Sequence, residues 1–280
     1  MKRNKKAMII RIISGMVALA LIAGILLVAS AFMGNPISIM IANRAAREYV
    51  RENYSFLDLE LERAKYDFKS SNYFIKAHSK TSKDTHFSIS YSSGEIVRDT
   101  YKNDVLDGFN TLFRLSKEYS VLAKEILEEE LGYKDIHTSV MYAKENYENN
   151  NNIIKLDMDF DKTLPLDPEV SISTDLEDNS LENISKKLID IHNAFLKNDC
   201  VFKEYSLYSE NNKGKLVNIN GVKPEDIESG ELLQRLIRAK EKDEKERKNI
   251  EEKIDKGQPI DKDEEKEFHE SRISVFIKEP

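Results

Sequence analysis

Cysteine occurs once in this 280-residue chain and tryptophan not at all; glycine supplies ten residues, proline six and histidine five. A single thiol excludes an internal disulfide, so folding rests on apolar burial rather than on covalent staples. Ten glycines leave little material for phosphate-cradling loops, and no P-loop, GxGxxG, GxSxG elbow or HExxH occurs. Positive charge is scarce where nucleic acid or an anionic surface would need it. Five basic residues precede residue 12 and no acid occurs before residue 34, which leaves 38 basic against 50 acidic residues in the remainder. A surplus of acid on that scale argues against nucleic acid as a partner. The missing tryptophan and abundant Asn and Lys fit an AT-rich genome.

What is present begins with Ile12–Met33, twenty-two residues without a charge. At about 1.5 Å per residue they make roughly 33 Å of helix, enough to cross a hydrocarbon core of about 30 Å. Lys2, Arg3, Lys5, Lys6 and Arg11 in front of it place residues 1–11 in the cytoplasm and everything after Met33 outside. The alternative is a signal peptide cut after Ala31, since Ala29-Ser30-Ala31 has the small-x-small pattern. Against cleavage, the apolar run is longer than a signal h-region of about 7–15 residues, and no polar break precedes the cut. The expectation is a retained single-pass anchor, with the membrane as partner through residues 12–33. An exported chain with one cysteine fits a bacterial surface better than a disulfide-rich secretory route.

Beyond Gly34-Asn35-Pro36, which ends the membrane helix, Ile37 to Asn53 has helical spacing with Ile37, Ile41, Ala45 and Tyr49 on one stripe. Leu57 to Glu62 alternates as a strand, and its phase slips near Arg63, as a bulge or bend would make it do. Turn residues at Ser70-Ser71-Asn72 and Ser92-Ser93-Gly94 separate three further strands: Tyr73–His78, His86–Tyr91 and Glu95–Tyr101. Residues 103–131 are helical, and Ile136–Tyr147 fits either strand or helix. The four-Asn run 149–152 reads as a loop and as the domain boundary. After it, Ile154, Leu156, Met158 and Phe160 alternate with charged residues and predict an amphipathic strand. Glu169–Thr174, Val201–Tyr208 and Lys215–Ile219 are further strands, Leu181–Leu196 is a helix, and Pro224 opens another. Residues 238–256 predict a solvated charged helix, and Arg272–Lys278 a terminal strand. The expected class is α+β: a transmembrane helix, then one or two small helix-plus-antiparallel-sheet domains over 34–148 and 153–237, with a charged helix and strand in 238–280.

Chemistry-bearing residues are few. Asp157, Asp159 and Asp161 invite a calcium reading, but positions six and twelve of an EF-hand loop would be Lys162 and Pro168, so the motif fails. The wet face of a strand explains the acids. His78 and His86 flank a loop holding Asp84, and imidazoles on adjacent strands could meet; without a third ligand at defined spacing this is a weak metal or general-base signal. His137, His192 and His269 stand alone. Cys200 has acids for neighbours and no base, and reads as a buried structural thiol. No catalytic residue is assigned, and no cofactor or metal is expected. The residues favour a binding module whose partner is another envelope protein or a cell-wall component. The alternative is an extracytoplasmic hydrolase using Asp84, His86 and His78.

Two stretches carry a family resemblance. Gly34-Asn35-Pro36-Ile37 after a membrane helix, followed by Tyr66-Asp-Phe-Lys69 and Asp84-Thr-His-Phe-Ser-Ile-Ser90, resembles the YfjL-like proteins of Gram-positive bacteria. Ile219-Asn-Gly-Val-Lys-Pro-Glu-Asp-Ile-Glu-Ser-Gly230, with Leu232, Leu233 and Leu236, is similar to that family's C-terminal part. The resemblance spans most of residues 30–240. It implies a single-pass surface protein of the cell envelope and carries over no catalytic residue.

Overall fold

The computed structural model describes residues 2–142, 153–212, 214–256 and 273–279. Its contacts divide the chain into two units, Met1–Asn110 and Thr111–Pro280. The class is α+β in each, with helices on one face of a largely antiparallel sheet.

In the first unit α1 (Lys2–Met33) contains the apolar stretch Met8–Ser30, with a mean hydropathy of 2.7, long and apolar enough to cross a membrane. It stops where expected. Gly34 takes φ +77°, a conformation open to glycine at little cost, and its N–H donates to the Ser30 carbonyl. Asn35 then caps α2 (Pro36–Asn53): its side chain accepts from the Ile37 N–H at 2.8 Å, and Pro36 sits in the first turn where its missing N–H costs nothing. This connection lies against the sheet. Asn35 N–H donates to the Tyr73 hydroxyl, and the Phe32 and Phe68 rings stand 5.8 Å apart.

The face of α2 that packs on the sheet overlaps the predicted stripe only in its second half, at Ala45 and Tyr49. Ala42 and Ala46 are fully buried, with Ile39, Ala45, Tyr49 and Val50 beside them, while Ile37 and Ile41 are exposed. Alanine at the contact lets the helix axis approach the strands closely, which large side chains would prevent.

The sheet runs β1 (Leu59–Leu61), β3 (Asn72–Ser79), β4 (His86–Ser92), β5 (Glu95–Asp99), all antiparallel, and β2 (Lys65–Asp67) also pairs with β3. The phase slip near Arg63 is the break between β1 and β2. There the Ala64 N–H leaves the ladder and donates to Asn43 Oδ1 on α2 at 2.9 Å, which ties the bend to the helix. The β4–β5 turn has positive φ at both Ser93 and Gly94, the twist a two-residue hairpin requires. A turn of π-helix over Lys102–Leu106 follows, separated by Asp107-Gly108 from α3 (Phe109–Leu131), where a single helix over 103–131 was expected.

The second unit is a sheet in the order β10-β9-β8-β7-β6 with helices on one face. Its strands are β6 (Ile136–Tyr142), β7 (Pro168–Thr174), β8 (Glu204–Glu210), β9 (Leu216–Val222) and β10 (Ser274–Lys278). Between β7 and β8, which are parallel, runs α4 (Leu181–Lys197) as the crossover. A short α5 (Pro224–Glu228) leads into α6 (Leu232–Asp255). Alternate residues of every strand, among them Val140, Ile172, Leu207, Ile219 and Val275, are buried against Leu115, Tyr119 and Leu127 of α3 and Leu188, Ile191 and Phe195 of α4.

Two sequence expectations fail here. The Asn run 149–152 lies outside the described residues, but β6 and β7 on either side of it pair over seven residues in one sheet, so the run cannot separate two sheets. Contacts divide the chain at Asn110/Thr111 instead. The strand expected at Ile154–Phe160 is a loop. Asp157 takes φ +61°, outside any strand, and backbone polar groups are satisfied without a ladder: Met158 N–H bonds the Lys155 carbonyl, and the Arg114 side chain on α3 donates to the Met158 carbonyl. Ile154, Met158 and Phe160 still reach the rim of the core, Phe160 against the Tyr119 ring at 5.3 Å. Leu156, the remaining apolar position of the expected strand, is exposed, so the alternation is kept only in part.

Candidate functional site

The first unit places His78 and His86 directly opposite each other on β3 and β4. Glu60 on β1 is the partner of His78 on its other side, with Oε2 3.4 Å from Nε2. Since direct partners share a sheet face, Glu60, His78 and His86 form one cross-strand row on the face away from Ala77 and Phe87. Asp84 does not join them in the open: it is buried, as is Thr85, and Asn110 Nδ2 donates to the carbonyls of Asp84 and His86 at 2.9 and 2.7 Å. The loop between the two strands is thus pinned through its backbone, which fixes the histidines' spacing. Among the described residues, no three or more His, Cys, Asp or Glu side chains are placed to hold a metal ion.

Asp161 works as a turn residue. Its carboxylate accepts from both N–H and hydroxyl of Thr163, and these bonds hold it below its usual carboxylate range. Asp159 and Asp161 are exposed and Asp157 half-buried. Cys200 is buried beside Tyr119. Burial pushes its thiol up, which Tyr119 and Lys162 offset in part, so it is held protonated rather than primed for attack. His192, expected to stand alone, is instead a core residue: Nδ1 meets the Tyr205 hydroxyl at 2.9 Å and Nε2 lies 3.4 Å from Glu228. Its place on the buried face of α4, beside Leu188 and Phe195, was the sequence signal for this. His269 lies outside the described residues.

One candidate ligand surface was not read from the sequence. Inner residues of the second sheet alternate with a polar outer face, on which pairing brings His137, Ser173, Tyr208 and Asn218 into one row across four strands. His137 is exposed and the others half-exposed. Next to it Ser139, Ser171 and Ser206 form a second row. The Tyr208 hydroxyl donates to Glu210 Oε2 at 3.2 Å, and desolvation together with Glu210 and Asp175 raises its pKa.

That tyrosine leads to a cleft of about 320 Å³ beyond the carboxyl ends of the parallel pair β7 and β8, lined by Asp175, Leu176, Glu177, Glu210, Asn211 and Asn212. The ends of parallel strands are where open α/β sheets commonly leave a crevice. Its walls are held from behind. Ser209 Oγ donates to Asn179 Oδ1 and accepts from the Leu176 N–H, and Asn179 Nδ2 reaches the Lys215 carbonyl, all between 2.8 and 3.0 Å. A buried Ser–Asn pair therefore sets the separation of the two loops. Three carboxylates give the cleft negative charge, and amide side chains supply donors.

Residues 9–101 match the family model described as YfjL-like, N-terminal domain, and residues 118–237 the model described as YfjL-like C-terminal domain. The interval between the matches contains the contact division at Asn110/Thr111. No curated protein and no solved structure matches the chain.

Proposed function

The chain belongs to the YfjL-like family, and from that premise we propose that it is a single-pass, membrane-tethered module that binds a component of the Gram-positive cell envelope. The N-terminus is cytoplasmic on this reading, because the five basic residues before residue 12 precede an uncharged helix. The binding surface is the polar outer face of the second sheet, and the observation that carries it is the row His137, Ser173, Tyr208, Asn218 running toward the acidic cleft. A flat row of hydroxyl, amide and imidazole groups around one tyrosine suits an extended hydrogen-bonding polymer. The carboxylates at its end select for amine-bearing segments over anionic ones. Domain limits follow the contacts: a membrane-proximal unit to Asn110, then the binding unit.

Co-sedimentation of the detergent-solubilised full chain with purified peptidoglycan tests the reading. Binding should weaken with salt and drop by about tenfold or more in Tyr208→Ala, the loss of roughly 1.4 kcal/mol or more expected for a central tyrosine. The melting temperature should be unchanged. Wild-type binding that Tyr208→Ala leaves intact removes the outer face from consideration. A C-terminal reporter active inside the cell, or a released product starting at Phe32, removes the tether.

A further inference from the structure

The face of α2 turned away from the sheet is unusual at its start. Ile37, Met40 and Ile41 are 64 %, 69 % and 50 % exposed and follow one another at helical i, i+3, i+4 spacing. Arg44 continues the same stripe, and Arg47 stands near it, both exposed. The opposite face, through Ala42 and Ala46, is the one buried on the sheet. Three large apolar side chains are thus spent on the side that has no protein partner among the described residues, although the packed side is built around alanine.

The position of this patch names its occupant. Only Gly34 and Asn35 separate α1 from α2, so Ile37 lies within about 14 Å of the last residue of the membrane helix even if the chain between them were fully extended. It is closer than that, because the connection is clamped. Gly34 packs against Tyr66, Asn35 N–H bonds Tyr73, and Phe32 of α1 meets Phe68, which is itself 53 % exposed. A patch held that near the hydrocarbon cannot stand clear of a headgroup layer that extends several ångströms beyond it.

We infer that Ile37, Met40, Ile41 and Phe68 form a seat in the bilayer interface, so that the first unit rests on the membrane surface rather than hanging from a free stalk. The apolar side chains enter the headgroup–acyl boundary, as they do on interfacial amphipathic helices, and Arg44 and Arg47 lie where lipid phosphates are. The seat rests on the membrane-tethered reading of α1 and adds that the tether is rigid.

The absence of native tryptophan makes the test direct. Single-tryptophan variants Leu21→Trp, Met40→Trp, Phe68→Trp and Val97→Trp of the full chain are reconstituted in phosphatidylcholine–phosphatidylglycerol vesicles carrying bromine at shallow or deep acyl positions. Leu21 marks the middle of α1, and Val97 lies on β5, at the sheet edge away from Phe68. The seat predicts blue-shifted emission at Met40→Trp and Phe68→Trp, with quenching by the shallow bromines comparable to that of Leu21→Trp by the deep ones, and none at Val97→Trp. Leu21→Trp quenched, with Met40→Trp and Phe68→Trp unquenched and red, overturns the seat and leaves the tether standing. Blue-shifted but unquenched emission at Met40→Trp means that a second copy covers the patch, and also overturns it. An unquenched Leu21→Trp refutes the tether itself, and the seat with it.

Discussion

Replacing Gly34 by alanine attacks the joint between the membrane helix and the first sheet, and its cost is calculable. At φ +77° an alanine enters the left-handed region, at about 1–2 kcal/mol. Its Cβ would also stand 2.6 Å from Tyr66 Cβ and 2.9 Å from Tyr66 Cγ, closer than carbon atoms tolerate, with Tyr73 Cε1 at 3.1 Å. The first of these is the root of a strand side chain and cannot rotate away, so β2 or the connection must shift, adding about 1–3 kcal/mol of overpacking. The control is Gly94→Ala in the same unit. There φ is +99° and a Cβ meets nothing within 4 Å, so it carries a backbone penalty without the clash. Thermal melts of the full chain in micelles should show Gly34→Ala losing about 2–5 kcal/mol and Gly94→Ala about 1–2. For a unit of this size each kcal/mol lowers the midpoint by about 4–8 °C. Hydrogen exchange should localise the difference, with Gly34→Ala loosening β2 and the start of β3, and Gly94→Ala the β4–β5 turn. Equal losses in the two variants, or unchanged exchange at β2, would refute the close approach on which the clamped joint depends.

Three further outcomes follow from the cores. Tyr49 and Tyr54 both donate to Asp99 Oδ2, at 2.5 and 2.7 Å, and burial with that carboxylate raises their pKa values; burial likewise pushes Tyr133 and Tyr142 up to about 12. Unfolded tyrosine ionises near 10, so the unfolded state loses protons first and stability falls as pH rises above about 10; tyrosinate absorbance should appear together with unfolding, and a smooth non-cooperative titration would contradict it. Cys200, buried and with its thiol pushed up, should resist alkylation at pH 8 until denaturant is added, and labelling of the folded chain would show the site open. Phe160→Ala should cost about 2–4 kcal/mol, below a fully buried aromatic because Phe160 is half-buried against Tyr119, whereas Asp161→Ala, which removes an exposed carboxylate bonded to the nearby Thr163, should lower the melt by clearly less, and millimolar calcium should leave both melts unmoved.

How far the sequence could be read depended on whether the deciding term was local. The anchor, its glycine stop, the Ser93-Gly94 turn and most strands follow from runs, caps and alternation, all short-range. The α2 stripe holds at Ala45 and Tyr49 but fails at Ile37 and Ile41, because periodicity counts every large apolar residue as core, while close helix–sheet approach selects Ala42 and Ala46 and leaves Ile37, Met40 and Ile41 exposed at the start of the helix, next to α1. Ile154–Phe160 alternates as a strand does, but no neighbour supplies a ladder, and a left-handed Asp157 is compatible only with a loop. Within the charged helix, Asp243 is fully buried, its carboxylate accepting from Val275 N–H and Ser274; only the distant return of β10 makes an acid the right residue there. The polar row on the second sheet was hidden for a related reason. It exists through pairing of strands far apart in sequence, and no single segment carries its pattern.

That same β10 sets an order of events while the chain is being made. It closes the β9 side of the second sheet and supplies the backbone partner for Asp243, yet it is encoded about fifty residues after β9. At roughly 5–20 residues per second, a nascent chain carries β9 for several seconds with a bare row of amide and carbonyl groups and a carboxylate waiting in the helix beside it. An unfilled edge is a template for any other strand. A chain released before residue 274 would lack β10 and leave the β9 edge open, a feature that makes a polypeptide prone to aggregation.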